Sequence, residues 1–294
     1  MKYKLRSQLT SLPTNKRARG AVVLSVVVLL LSLITLALWA TSSLLATEYQ
    51  ANKSSNSYRK TMNQLQSDLT LITGKLRISD NWQKAAAENP LATVAASEYL
   101  GSEGQKLTLF EVSLFHPASS ITVSQTFLRY PALVRIPAGN IITGANNPIL
   151  SHLFDREANS LTPLYFPESI IDKDCDDLAV HPILWIRGHC NIPSSSVIGE
   201  PDRPLLLVVE GGNFTLNAHA QFYGLVVLLT NTNVEPTATI GLSAALTGAM
   251  VSNEEVSTIL YGNIDFDPIV LHTLQQINAL QKMQSVPGSW HDFN

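Results

Sequence analysis

From Ala21 to Thr47 the chain carries no Asp, Glu, Lys, Arg or His. At about 1.5 Å per residue, a helix of this length covers about 40 Å, more than the roughly 30 Å of a bilayer's hydrocarbon core. The stretch therefore reads as a membrane helix and not as the core helix of a globular domain. A secretory signal is the competing reading, with an apolar region of about 7 to 15 residues and a small-x-small cleavage site. Ala40-Thr41-Ser42 and Ala46-Thr47 offer only weak versions of that site, and the apolar run is too long. Lys2, Lys4, Arg6, Lys16, Arg17 and Arg19 all precede the helix, and the first acid is Glu48. The positive-inside rule then holds the N-terminus in the cytoplasm and exports the rest.

Beyond the membrane, Tyr58, Met62, Leu65, Leu69, Ile72 and Leu76 recur at steps of four and three, a stripe along a continuing helix. This amphipathic continuation spans residues 48–78, and Gly74 is a place where it could break or end. Formal net charge is −3, of which the basic front contributes six positive charges. The remainder is distinctly acidic, which excludes a nucleic-acid binder needing a basic face. Cys175 and Cys190 are the only cysteines. In an exported domain they read as a disulfide, and closing a loop of that size contributes about 3 kcal/mol in the chain-entropy model. A zinc site from Cys175, His181, His189 and Cys190 matches no standard spacing. Asp172, Asp174, Asp176 and Asp177 could hold calcium through oxygen ligands, but a solvated acidic loop is the plainer reading.

Residues 79–172 read as a mixed α/β region. Ser79 or Asp80 is placed to cap a short helix from Trp82 to Glu88, and Asn89-Pro90 to start another reaching Leu100. Lys106 to Phe115 and Ile121 to Arg135 read as strands, and Ala138 to Asp172 as a loop-rich connection. Residues 173–267 form a repetitive β region. Ile183-Leu184-Trp185-Ile186-Arg187-Gly188 is echoed by Leu206-Leu207-Val208-Val209-Glu210-Gly211, and Tyr223-Gly224-Leu225-Val226-Val227 by Thr247-Gly248-Ala249-Met250-Val251. A short stacked β-coil produces such a period, because each rung buries its apolar face on its neighbours. A meander or sandwich with evenly spaced turns fits as well. The last part, residues 268–294, reads as a helix from Pro268 to Met283 and a tail. The fold class is thus α+β, with a long N-terminal helix and a Gly-punctuated β domain.

Arg17-Ala18-Arg19-Gly20 followed by Ala21-Val22-Val23-Leu24-Ser25 resembles the leader junction of type IV pilin precursors. The resemblance implies a leader of residues 1–20, cut by a prepilin peptidase between Gly20 and Ala21, with methylation of the new Ala21 amine. It also implies that residues 21–47 serve first as a bilayer anchor and then as filament core. Major pilins carry Glu at the fifth mature position, where this chain has Ser25. That departure implies a minor subunit that initiates or terminates a filament. From the Cys190 strand to Gly288-Ser289-Trp290 the chain is similar to the C-terminal domain of PilX-type minor pilins. They commonly close with Gly-Ser-Trp-Arg-Asp, whereas His291 stands here in place of the Arg.

The expected function is structural and non-enzymatic, without cofactor or metal. Expected partners are other pilins and minor pilins, the peptidase, an inner-membrane assembly platform and membrane lipid. The expected location is the bacterial inner membrane, with a periplasmic C-terminal domain, and then the filament. No Gly-x-Ser-x-Gly elbow, His-Glu-x-x-His helix or phosphate loop is present. Paired acids such as Asp265 and Asp267, which flank Phe266, could stand on one face of a strand, but glycoside hydrolysis needs an acid and a base across a cleft. The alternative is a permanently anchored envelope protein with a binding or carbohydrate-active β domain.

Overall fold

The computed structural model describes residues 16–102, 104–144, 148–175, 181–230 and 235–293. The chain divides into two units, residues 1–63 and 64–294. Helix α1 (Lys16–Ile78, 63 residues) supplies the described part of the first and opens the second. In the second unit Leu65, Leu69, Ile72 and Leu76 are all buried, as their spacing requires. Gly74 does not break the helix, which continues to Ile78, and a Cβ added there would meet nothing within 4 Å.

A short helix α2 (Trp82–Ala87) follows, capped by Asn81, whose side chain accepts from the Lys84 amide at 3.0 Å. Ser79 and Asp80 are not the cap. Ser79 donates instead to the Asn81 carbonyl, and Asp80 accepts from Asn278. The helix expected from Asn89 to Leu100 is strand β1 (Ala92–Leu100). All nine of its residues pair antiparallel with β2 (Lys106–His116), which pairs in turn with β3 (Ile121–Pro131). Phe110, Val112 and Leu114 of β2 and Ile121, Val123 and Phe127 of β3 form a buried face. Arg129, on that same face of β3, donates to the carbonyls of Leu76 at 3.4 Å and Ser79 at 3.1 Å, which sets the buried stripe of α1 over this sheet.

Next come β4 (Ile141–Ile142), α3 (Ile149–Phe154) and β5 (Ile170–Asp172). Then the chain winds through β6 (Ile183–Arg187), β7 (Cys190–Ile192), β8 (Val197–Ile198), β9 (Leu205–Glu210) and β10 (Phe214–Leu216). It continues through β11 (Gln221–Leu229), β12 (Thr237–Ile240), β13 (Ala245–Ser252), β14 (Ser257–Leu260) and β15 (Asn263–Asp265). Every pairing among these strands is parallel. One sheet runs β15-β13-β11-β9-β6-β5, with β4 beside β13 and β8 beside β11, and the other runs β14-β12-β10-β7. This is a β-solenoid, and the parallel pairing rules out a meander or antiparallel sandwich. Ile183 sits beside Leu206 and Tyr223 beside Thr247, so the two sequence echoes are neighbouring rungs.

Two apolar cores explain why these strands read as unbroken hydrophobic runs. Leu184, Ile186, Leu207, Val209, Val226 and Leu228 point into the lumen, where they meet Phe214, Leu216, Ala238 and Ile240 of the opposite sheet. The alternate residues Ile183, Trp185, Leu206, Val208, Leu225 and Val227 point outward onto Leu150, Leu153, Phe154, Leu271 and Leu274. A parallel sheet covered on both faces carries apolar residues at every position. The coils close so tightly at Gly224 and Gly248 that a Cβ would lie 1.9 Å from the Leu205 and Gly224 carbonyl oxygens respectively. Both glycines also adopt positive φ, 140° and 136°, which side chains disfavour.

The tail departs from the expected helix to Met283. Helix α4 (Pro268–Gln276) stops because Ile277 turns extended, with ψ 142°. The chain then forms β16 (Gln281–Ser285) and β17 (His291–Phe293), both antiparallel to β3. Between them Val286-Pro287-Gly288-Ser289 makes a turn, with the Ser289 amide donating to Val286 O at 3.2 Å and Gly288 at φ 76°. Pro and positive-φ Gly in that order specify a type II turn. The Ser289 hydroxyl then accepts from the Thr126 amide at 3.1 Å, at a β3 residue between its pairings with β16 and β17.

Candidate assembly helix, disulfide and polar cavity

Every Val, Leu, Ile and Trp from Val23 to Leu45 is exposed, Trp39 at 75%. In water such a face would be strongly unfavourable, at roughly 25 cal/mol per Å² of apolar surface. Ser32, Thr35, Thr41 and Ser43 are suited to lipid because their hydroxyls bond back onto the helix. Ser32 donates to Leu29 O at 2.8 Å, Thr35 to Ser32 O at 2.9 Å, Thr41 to Ala37 O at 3.0 Å and Ser43 to Ala40 O at 2.8 Å. Donors satisfied in this way carry little penalty in hydrocarbon. Gly20, Ala21 and Ser25 all lie inside α1, Ser25 on its exposed front part. The basic residues Lys2, Lys4 and Arg6 lie outside the described residues.

Cys175 and Cys190 form a disulfide. Both cysteines are buried in the solenoid lumen, so the bridge fastens the segment before the first coil to β7. With the thiols joined, the four-residue zinc set is excluded. Asp176 and Asp177 of the acidic loop lie outside the described residues, and Asp172 accepts from the Lys173 amide at 2.7 Å. Among the described residues no group of three or more His, Cys, Asp or Glu could hold a metal ion. Asp267 is the cap of α4, accepting from the amides of Ile269 at 2.8 Å and Val270 at 3.2 Å. That role explains its place beside Phe266 without a paired acid.

A polar cavity of about 180 Å³, which the sequence does not signal, opens between β1, β2, α4 and the start of α2. Trp82, Phe110, Arg129, Gln275 and Gln281 line it, with Asp80, Glu98 and Lys106 also contributing. Trp82 meets Phe110 edge to face, centroids 6.0 Å apart. Arg129 donates to Asn278 Oδ1 at 2.5 Å, and its burial lowers the guanidinium pKa. Gln275 donates to Leu133 O at 2.9 Å, while its Oε1 is the one buried side-chain oxygen without a partner among the described residues.

Two cationic contacts join β16 and the end of α1 to the outer layer of the solenoid. Arg77 pairs with Glu168 at 2.6 Å. Lys282 donates to the Tyr165 carbonyl and lies 3.7 Å from the Tyr165 ring centroid. Burial, with Arg77 and Arg156 nearby, lowers the Lys282 pKa to about 8.

No protein-family model, curated protein or solved structure matches this chain. The architecture itself is a long apolar N-terminal helix followed by a β domain, consistent with a pilin-like plan. A single apolar N-terminal helix suggests a membrane anchor or signal, and the disulfide points to a domain outside the cytoplasm.

Proposed function

We propose that this chain is a minor pilin or pseudopilin that initiates or terminates a type IV filament. The observation that carries the reading is α1. One uninterrupted helix exposes every Val, Leu, Ile and Trp from Val23 to Leu45, with Ser32, Thr35, Thr41 and Ser43 bonded back onto it, and buries a four-three stripe over its last turns. A bilayer holds that front half first, and the helices of neighbouring pilins replace the lipid afterwards. Both environments are dry, so the same side chains serve in each. Ser25 supplies no carboxylate to answer a neighbour's N-terminal amine, which suits a subunit at a filament end more than one repeated along the shaft.

The reading implies processing between Gly20 and Ala21 by a prepilin peptidase, N-methylation of Ala21, and passage through an inner-membrane assembly platform. Mass spectrometry of native protein tests it: the expected N-terminus is a methylated Ala21, and Gly20→Trp is expected to leave the chain unprocessed. An unmodified Met1 on mature protein overturns it. The second reading, a permanently anchored envelope protein with a ligand-binding head, draws on the polar cavity beneath Gln275. It expects that intact Met1.

A further inference from the structure

We infer that the outer edge of β14 is a docking site for an extended segment of another protein, apolar in alternation and basic at its ends. The inference goes beyond the filament reading and does not depend on how the N-terminus is processed.

The two ends of the solenoid differ. At the first, β5 extends the sheet beyond β6, and buried Cys175 is tied to Cys190 in the lumen. At the last, Leu260 lies in register with Ile240, a fully buried lumen residue, yet Leu260 is itself 49% exposed. The lumen is therefore open along β14. Leu242, Ile259, Tyr261 and Phe266 are exposed around it. Terminal coils of solenoids need a cap with a polar outer face; β4 brings Ile141 against the lumen beside β13, but among the described residues no strand pairs the outer edge of β14.

The backbone there is also unfinished. Ser257 and Tyr261 donate inward, to Pro236 O at 3.1 Å and Ile240 O at 2.8 Å. Strand alternation then turns the N–H and C=O of Thr258 and Leu260 outward. Beyond β14 no further strand follows among the described residues. A strand added there would gain ladder hydrogen bonds and cover the exposed apolar side chains, which is the physics of β-augmentation.

Charge selects the occupant. From Asn253 to Ile269 the chain carries Glu254, Glu255, Asp265 and Asp267 and no Lys, Arg or His. A second copy docking end to end would bring these acids against each other, whereas Lys or Arg at the ends of an incoming strand would complement them.

The test uses the full chain in detergent micelles and two labelled peptides of alternating Val and Thr, one flanked by lysines and one by glutamates. Anisotropy is expected to show the lysine-flanked peptide binding at least about tenfold more tightly. Binding is expected to slow amide exchange at Thr258 and Leu260 of the unaltered protein. Thr258→Pro removes one outward N–H and is expected to weaken binding about tenfold, the loss of one backbone hydrogen bond. Circular dichroism reports whether that variant keeps its fold, and the exchange measurement stands without it. Equal binding of both peptides, no binding of either, or protection confined to other strands overturns the inference. A full-chain dimer that Leu260→Lys dissolves overturns it too, in favour of a second copy.

Discussion

The antiparallel strands β1–β3 and the parallel coils β6–β15 bury their side chains in different ways. In β2, Phe110, Val112 and Leu114 are buried while Glu111 and Phe115 between and beside them are exposed. In β9, Leu205 to Val209 are buried without a break. A sheet covered on one face can absorb change on the other. A coil covered on both faces, with the next rung's backbone against its own, has no free side.

That contrast is most directly broken at Gly224. Its added Cβ would strike the Leu205 carbonyl at 1.9 Å, so Gly224→Val is expected to cost about 4 kcal/mol or more in urea unfolding. Ser113→Val, on the half-exposed outer face of β2, is expected to change stability by no more than about 0.5 kcal/mol. Equal costs would show that the coils are no more constrained than the antiparallel sheet. Next in size is the bridge. Cys175→Ser with Cys190→Ser is expected to cost about 3 kcal/mol, with amide exchange rising first in β6 and β7. In the antiparallel sheet, Ser289→Ala leaves the Thr126 amide unanswered, and a loss of about 1 kcal/mol with faster exchange at Thr126 is expected.

Smaller effects sharpen the comparison on its helical side. Gly74→Ala fills open space in a helix and is expected to stabilise by about 0.5 to 1 kcal/mol in thermal or urea unfolding. Lys282 gives the weakest signal. Its folded pKa of about 8 lies below the ordinary 10.5, so between those values the unfolded chain holds a proton that the folded chain has released. Stability from this group therefore rises as pH increases through that window, and Lys282→Met is expected to flatten the rise in melting temperature.

Legibility in the sequence followed the same division. The coils announced themselves, because parallel rungs repeat their apolar runs at a near-constant offset and Gly224 and Gly248 fall in register. Helix α1 was plain from charge and spacing, and the disulfide from the compartment. β1 was not legible. Ala92 to Leu100 contains three alanines and a glutamate, good helix formers, and only full-length pairing with β2 makes it a strand. Gln281 to Met283 was drawn out of the expected tail helix in the same way, by the open edge of β3. The polar cavity had no linear signature, since Trp82, Arg129 and Gln275 come from elements far apart in the chain. The open end was equally hidden, because Leu260 reads like any other rung residue until its missing neighbour is seen.

The regular winding makes the head a ruler. Cys190, Phe214 and Ala238 stand one above another at a spacing of 24 residues. Each added or deleted winding would lengthen or shorten the solenoid by about 4.8 Å along its own axis. Duplicating a single winding is thus a small genetic step that lengthens the solenoid without redesigning the coils already in it.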